Sequence, residues 1–185
     1  MARITIRPTR ADRALADTIA AHTDPSVEAV SRLLTWGADE KLLLAAAVAA
    51  WTYALPHPRL RPLATHFLAA SIVATIVPHL LKKVVDQTRP DRLTIFGHWR
   101  GVPFSGRARD AFPSGHALHM GALASAAGLL PRRDRRLTRA TAVVLAATRV
   151  VLLAHWASDV IAGFVLGGIL ERLLRRLTLN NMGRP

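Results

Sequence analysis

The chain has 185 residues, enough for one domain with a sizeable core and too few for two comfortable domains. It is 51% hydrophobic with a mean hydropathy of +0.24, and its long runs of Ala, Leu and Val point to a helical membrane protein more than to a soluble one. The absence of cysteine excludes disulfides and thiolate metal sites. The net charge of +13 raises nucleic acid as a partner, but the arginines fall between apolar runs, where they anchor helices against anionic headgroups, so nucleic acid is not expected.

Residues 1–40 carry too many charges for a membrane span, and no apolar core of signal-peptide type follows the first arginines. Leu15, Ile19, Val27, Val30, Leu33 and Leu34 are spaced as two short amphipathic helices broken near Asp24 and Pro25, which predicts an arm lying on the bilayer surface or on the bundle. Residues 41–178 form the expected transmembrane domain. A first apolar run goes from Lys41 to Leu55, with Trp51 and Tyr53 near its end, and is short for a span of ~20 residues. Prolines 56, 58 and 62 mark a loop.

A second apolar helix is expected from Leu63 to Leu81, with Pro78 inside it and Lys82 and Lys83 at its end. Residues 84–112 are polar and rich in glycine and proline, and read as the one substantial extramembrane loop. A third helix is expected from about Ser114 to Leu130, then a basic turn over residues 131–136. A fourth is expected from about Arg139 to Trp156, and a fifth from Ser158 to Leu174, where Gly163, Gly167 and Gly168 permit close helix contact. Residues 179–185 are left as a tail. The fold class is therefore all-α: a helical membrane bundle of about five transmembrane helices preceded by an amphipathic N-terminal arm.

Three clusters interrupt this pattern. Lys82 and Arg89 are seven residues apart, almost two helical turns, so both cations can face one anion, and Pro90 follows. Ser114 at a helix start is a favoured N-cap, Gly115 lets a ligand approach the backbone, and free N–H groups there suit a phosphate; His116 follows at once. Arg149, His155 and Asp159 lie in an otherwise apolar stretch, where each ionisable group is costly unless partnered. On a helix His155 and Asp159 share a face, whereas Arg149 lies about 120° from His155, so a phosphate must sit between them or the helix must change course.

Following the chain across the membrane brings all three clusters to one side. Each has an ordinary reading alone: a snorkelling lysine pair, a turn, a helix cap, an internal ion pair. Together they assemble three cations, a hydroxyl, backbone donors, two histidines and a carboxylate, a set suited to a tetrahedral oxyanion with a nucleophile and a proton donor beside it. His119, one turn after His116, reads as structural; His57, His66, His79 and His98 have no motif context.

In these residues the chain resembles the type 2 phosphatidic acid phosphatases, the lipid phosphate phosphatase and vanadium haloperoxidase superfamily. That family's signature is Lys-x6-Arg-Pro, then Pro-Ser-Gly-His, then Ser-Arg-x5-His-x3-Asp. It stands here as Lys82 to Pro90, Pro113 to His116, and Arg149, His155 and Asp159, with Thr148 in place of the serine. Many integral members have six helices, against the five read here.

The resemblance implies a metal-independent membrane phosphatase without a cofactor, in a bacterial inner membrane and with its site facing outward. The two sides carry similar numbers of basic residues, so orientation rests on the density of the 131–139 turn and on the family's usual arrangement. It also implies that His155 attacks phosphorus to give a phosphohistidine, that Asp159 holds the other ring nitrogen, and that His116 is the acid and then the base. Lys82, Arg89, Ser114, the Gly115 amide and Arg149 bind the phosphate oxygens. Membrane lipids are the expected partners and a lipid phosphate or diphosphate the expected substrate: phosphatidylglycerophosphate, phosphatidic acid, a polyprenyl phosphate or diphosphate, or lipid A. A soluble acid phosphatase, a vanadate-dependent haloperoxidase and a non-catalytic membrane binding or transport protein are the alternatives.

Overall fold

A computed structural model describes residues 4–90 and 109–179. Seven α-helices lie within them: α1 Arg10–His22, α2 Pro25–Thr35, α3 Glu40–Ala54, α4 Arg61–Val84, α5 Gly115–Ala126, α6 Arg132–Val151 and α7 Ala157–Thr178. The arm is two helices broken at Asp24, as its apolar spacing predicts. Asp24 caps α2 by accepting from the Ser26 N–H at 2.7 Å, and Pro25 occupies the first helical position, where its missing N–H costs nothing. Asp39 caps α3 in the same way through the Lys41 and Leu42 N–H groups. Sequence periodicity did not foresee that Ile4–Thr5 (β1) pairs in parallel with Val85–Asp86 (β2), tying the chain's start to the end of α4.

Helices α3 to α7 form the bundle, and it is apolar on the outside. Ile161, Val165, Ile169, Leu173 and Leu177 recur every four residues along α7 and are 49–66% exposed; Ile72, Ile76, Leu80 and Val84 make the same stripe on α4. Continuous outward stripes of this kind suit hydrocarbon, not water. The inside is filled by small residues, Ala38, Ala117, Ala124, Ala142 and Ala146 around Met120. By length and hydropathy taken alone, α4 is the described helix able to cross a bilayer. Others fall short for visible reasons: α3 has 15 residues, α5 has 12, and α6 and α7 carry arginines in their turns remote from the site.

Two expected boundaries move. The basic stretch after Pro131 is not a turn but the first turn of α6, with Asp134 placed favourably at the positive helix end. Helix α6 also stops at Val151, five residues before the expected end, for a reason that belongs to the site. The expected 84–112 loop falls largely on residues 91–108, which lie outside the described residues, as do His98 and the tail from residue 180.

Helices α5 and α7 touch through glycine. A Cβ on Gly167 would run into the Leu118 carbonyl, one on Gly121 into the Phe164 carbonyl, and one on Gly163 would lie 2.6 Å from the Ser114 carbonyl. Gly168, expected to join them, is different: its Cβ would meet Gly121 O at an ordinary 3.7 Å. Away from the site, buried Glu171 accepts from His66 Nε2 (3.0 Å) and from a two-pronged Arg175, joining α4 to α7. His66, without motif context in the sequence, is thus a partner in a buried ion network.

Candidate active site

Arg149 and His155 are separated by a change of course, not by a continuous helix. The Leu153 N–H donates to Val150 O (2.9 Å) and the Ala154 N–H to Arg149 O (3.0 Å), the paired bonds of a Schellman motif, with Leu153 in the left-handed region at φ 52°. Glycine usually fills that position, so a leucine there is held by its surroundings, and it is buried against Ala16, Ala111 and Trp156. The motif ends α6 and swings residues 152–156 back across the bundle end. His155 thereby comes round to the side that Arg149 already faces.

His155 is buried, and its Nδ1 lies 2.6 Å from the Ala111 carbonyl. A carbonyl only accepts, so Nδ1 carries the hydrogen and Nε2 keeps its lone pair. The expected partner, Asp159, is not the one that holds the ring: its Oδ2 is 3.9 Å from Nδ1 and accepts instead from the Trp156 N–H at 3.0 Å. Asp159 caps α7 and fixes the turn that presents His155, because as the third residue of α7 its carboxylate reaches the free N–H at the helix start first. Its Oδ1 has no hydrogen-bond partner among the described residues.

The cations converge from three elements. Arg89 is buried, donates twice to Asp110 Oδ1 (2.9 and 2.8 Å) and once to Ala154 O (2.9 Å), so it ties the turn at residues 152–156 to the segment before α5. Lys82 Nζ stands 4.0 Å from the other Asp110 oxygen. Arg149 is buried, donates to Thr35 Oγ1 at 3.0 Å, and leaves its Nε without a partner among the described residues. Lys82, Arg89 and Arg149 all act electrostatically on both His155 and His116. Ser114 is fully buried as the N-cap of α5, and its N–H reaches Asp159 O, joining the starts of α5 and α7. A Cβ on Gly115 would meet Pro78 at 3.8 Å and Glu40 Oε2 at 4.0 Å, ordinary contacts, so this side of the helix start packs against α4 and α3.

All eight residues singled out in the sequence therefore stand at one end of the bundle. At Thr148, which stands in place of the family serine, the hydroxyl donates to Leu145 O at 2.6 Å and is turned into its own helix. Several contributors had no signal in the sequence: Asp110, which fixes two cations; Thr35, which holds Arg149 from the arm; and the carbonyls of Ala111 and Ala154. Backbone acceptors carry no residue code, and Asp110 and Thr35 lie outside the motif spacings. Among the described residues no group of three or more His, Asp or Glu side chains is placed to hold a metal.

Burial, with Arg89, Arg149 and Lys82 nearby, pushes the His155 imidazole well below the ordinary histidine range; the Ala111 carbonyl only partly opposes this. The folded protein thus keeps His155 neutral, while the unfolded chain takes up a proton below about pH 6.5. The unfolded state then binds more protons, so stability falls as pH drops through that value. Thermal unfolding in detergent between pH 7.5 and 5 should show this loss, and His155→Gln should remove up to ~1.4 kcal/mol per pH unit of the slope below pH 6. Equal slopes in the two proteins would contradict the neutral assignment.

Residues 63–182 match the PAP2 superfamily. The chain belongs to that superfamily. Its PAP2 segment includes all eight residues singled out in the sequence, while Thr35, the partner of Arg149, lies before it. Two curated relatives are named lipid A 1-phosphatase: one from Rhizobium etli, 41% identical over 98 residues, and one from Rhizobium johnstonii, 40% identical over 97. Each alignment covers 52% of this chain, and the chain spans only 42% and 40% of those relatives' lengths. Among solved structures, Aquifex aeolicus LpxE is similar with a TM-score of 0.72 at 17% identity, covering 94% of this chain and 99% of that one. The transmembrane PAP2 type phosphatidylglycerolphosphate phosphatase of Bacillus subtilis has a TM-score of 0.66 at 20% identity, covering 94% and 86%. The all-α membrane bundle read from the sequence is thus the fold of membrane PAP2 phosphatases.

Proposed function

We propose that this PAP2 protein is a membrane phosphatase that removes a phosphate from a lipid headgroup through a phosphohistidine. The observation that carries the reading is a buried imidazole whose Nδ1 is tied to Ala111 O, which leaves Nε2 as the ring nitrogen to attack, with Lys82, Arg89 and Arg149 acting on it beside the start of α5. His155 Nε2 attacks phosphorus in line, a P–N bond forms, and the bond to the lipid oxygen breaks. His116 gives that oxygen its proton, then takes one from the water that attacks the phosphohistidine and releases inorganic phosphate. Lys82, Arg89, Arg149, the Ser114 hydroxyl and the Gly115 N–H offset the charge on the phosphoryl oxygens. Arg149 Nε, without a partner among the described residues, is a donor that such a ligand would satisfy. Asp159 keeps the turn in place, with its Oδ2 3.9 Å from Nδ1 of the ring that becomes cationic on attack.

The bundle's apolar exterior holds the lipid tail in hydrocarbon while the phosphate reaches the site at the headgroup level. Among lipid phosphates we favour a lipid A type glycosyl phosphate, on the strength of the two rhizobial relatives. We place the site on the outer face of a bacterial inner membrane. Purified protein should release phosphate from a panel holding a lipid A type phosphate, phosphatidylglycerophosphate, phosphatidic acid and polyprenyl phosphates, at the same rate with and without chelator. The lipid A type phosphate should be turned over fastest. No release from any member would overturn the reading, and equal rates on all would overturn the substrate preference.

A further inference from the structure

Helix α1 lies over the catalytic turn, and one side chain links the two. Asp12 is buried although it belongs to the highly charged arm. At the third position of α1 it completes that helix's own capping box: its Oδ2 accepts from the Thr9 N–H (3.0 Å) and the Thr9 hydroxyl (2.8 Å), while Thr9 Oγ1 accepts from the Asp12 N–H. The same carboxylate reaches across to α7. Its Oδ1 accepts from the Ser158 N–H and its Oδ2 from the Ser158 hydroxyl, both at 2.9 Å, across 146 residues of sequence.

Ser158 stands between His155 and Asp159, in the first turn of α7, where N–H groups have no partner within the helix. Two carboxylates therefore cap one helix start: Asp159 from within on Trp156, and Asp12 from another element on Ser158. Burial would raise the Asp12 carboxyl, but the bonds from Ser158 and Thr9 outweigh it and hold the group below the ordinary carboxylate range, so it is charged at neutral pH. One turn further along α1, Ala16 packs against Ala111, Leu153 and Trp156, with Ile19 and Ala20 beside them. The face of α1 that Asp12 begins thus covers the carbonyl partner of His155, the strained residue of the turn and the residue after His155.

We propose that Asp12 is a positioning residue for His155, and that α1 is a clamp setting the catalytic turn through the Asp12–Ser158 pair. This rests on the phosphatase reading above. Loss of the clamp lets α7 start without its second cap, and His155 Nε2 loses its line of attack while the phosphate-binding cations, held by Asp110 and Thr35, stay in place. A displacement of about 1 Å at an attacking atom lowers a rate on the order of 10²-fold.

The test uses the full chain in detergent, with Asp12→Asn, Ser158→Ala, the double variant, and Asp17→Asn as the control on the exposed face of α1. Rates are normalised to folded protein, and the His155 ring is followed by nitrogen NMR of labelled histidine. Asp12→Asn should lower kcat per site by about 10- to 100-fold with KM within about twofold, and should move the His155 ring signals. Ser158→Ala should do the same more weakly, the double variant should be no worse than Asp12→Asn, and Asp17→Asn should match wild type. Unchanged kcat per site and unmoved ring signals in Asp12→Asn overturn the clamp, even if the protein melts earlier. A wild type inactive on every lipid phosphate overturns the phosphatase reading instead, and the ring signals still decide whether Asp12 sets His155.

Discussion

Replacing His155 by alanine should abolish phosphate release, by at least about 10⁴-fold in kcat, while the protein stays folded. Covalent catalysis has no substitute route once the attacking nitrogen is gone, because water in the same place lacks a base aligned for attack on the ester itself. The structural cost is small beside this. Ala111 O loses its partner at 2.6 Å, a penalty of about 1–3 kcal/mol for a buried acceptor. Turnover above about 1% of wild type in the alanine variant, measured as phosphate released from the preferred lipid, would mean that another group attacks phosphorus.

Gly167→Ala should have the largest effect on folding. Its new methyl would occupy the space of the Leu118 carbonyl, and backbone cannot rotate aside as a side chain can. Helices α5 and α7 must separate, which drags the Ser114 N-cap away from Asp159, since the two are joined by the Ser114 N–H to Asp159 O bond. About 3 kcal/mol of destabilisation is expected, with activity falling in the fraction that still folds, because the start of α5 and the turn that carries His155, which the proposed mechanism uses together, are disturbed together. Gly168→Ala is the matched control, since its methyl meets only ordinary contacts. Detergent unfolding temperatures should fall sharply for the first variant and little for the second; equal behaviour of the two would contradict the packing argument.

The contrast between these glycines marks how far sequence alone reaches. Spacing put Gly163, Gly167 and Gly168 on one helix and identified a close contact, but which of them faces the partner backbone depends on α5's rotation, and Gly121 on the other helix carried no pattern of its own. Likewise Lys82, Arg89, Ser114, His116, Arg149, His155 and Asp159 were legible because type, order and interval all coincide. The turn at residues 152–156 was not, since it is made by a leucine in a conformation that leucine does not advertise. Nor was the proton bookkeeping of His155. The i, i+4 interval suggested Asp159 as the ring's partner, yet that carboxylate finds a nearer N–H, and a backbone carbonyl takes its place. The arm gave up its amphipathic helices readily. That its buried acid reaches Ser158 is a long-range fact with no local trace.

The central claim, that His155 takes the phosphoryl group onto its own nitrogen, is tested most directly by capture of the intermediate. Wild-type protein mixed with the preferred lipid phosphate, quenched in alkali where a phosphorylated imidazole survives, and mapped by peptide mass should carry phosphate on His155. With a nitrophenyl phosphate, whose leaving group departs without a proton, His116→Ala should accumulate more of it per active site, because hydrolysis then lacks its base. Phosphate found on another residue, or wild-type turnover with no covalent phosphoenzyme at any time point, would contradict the mechanism.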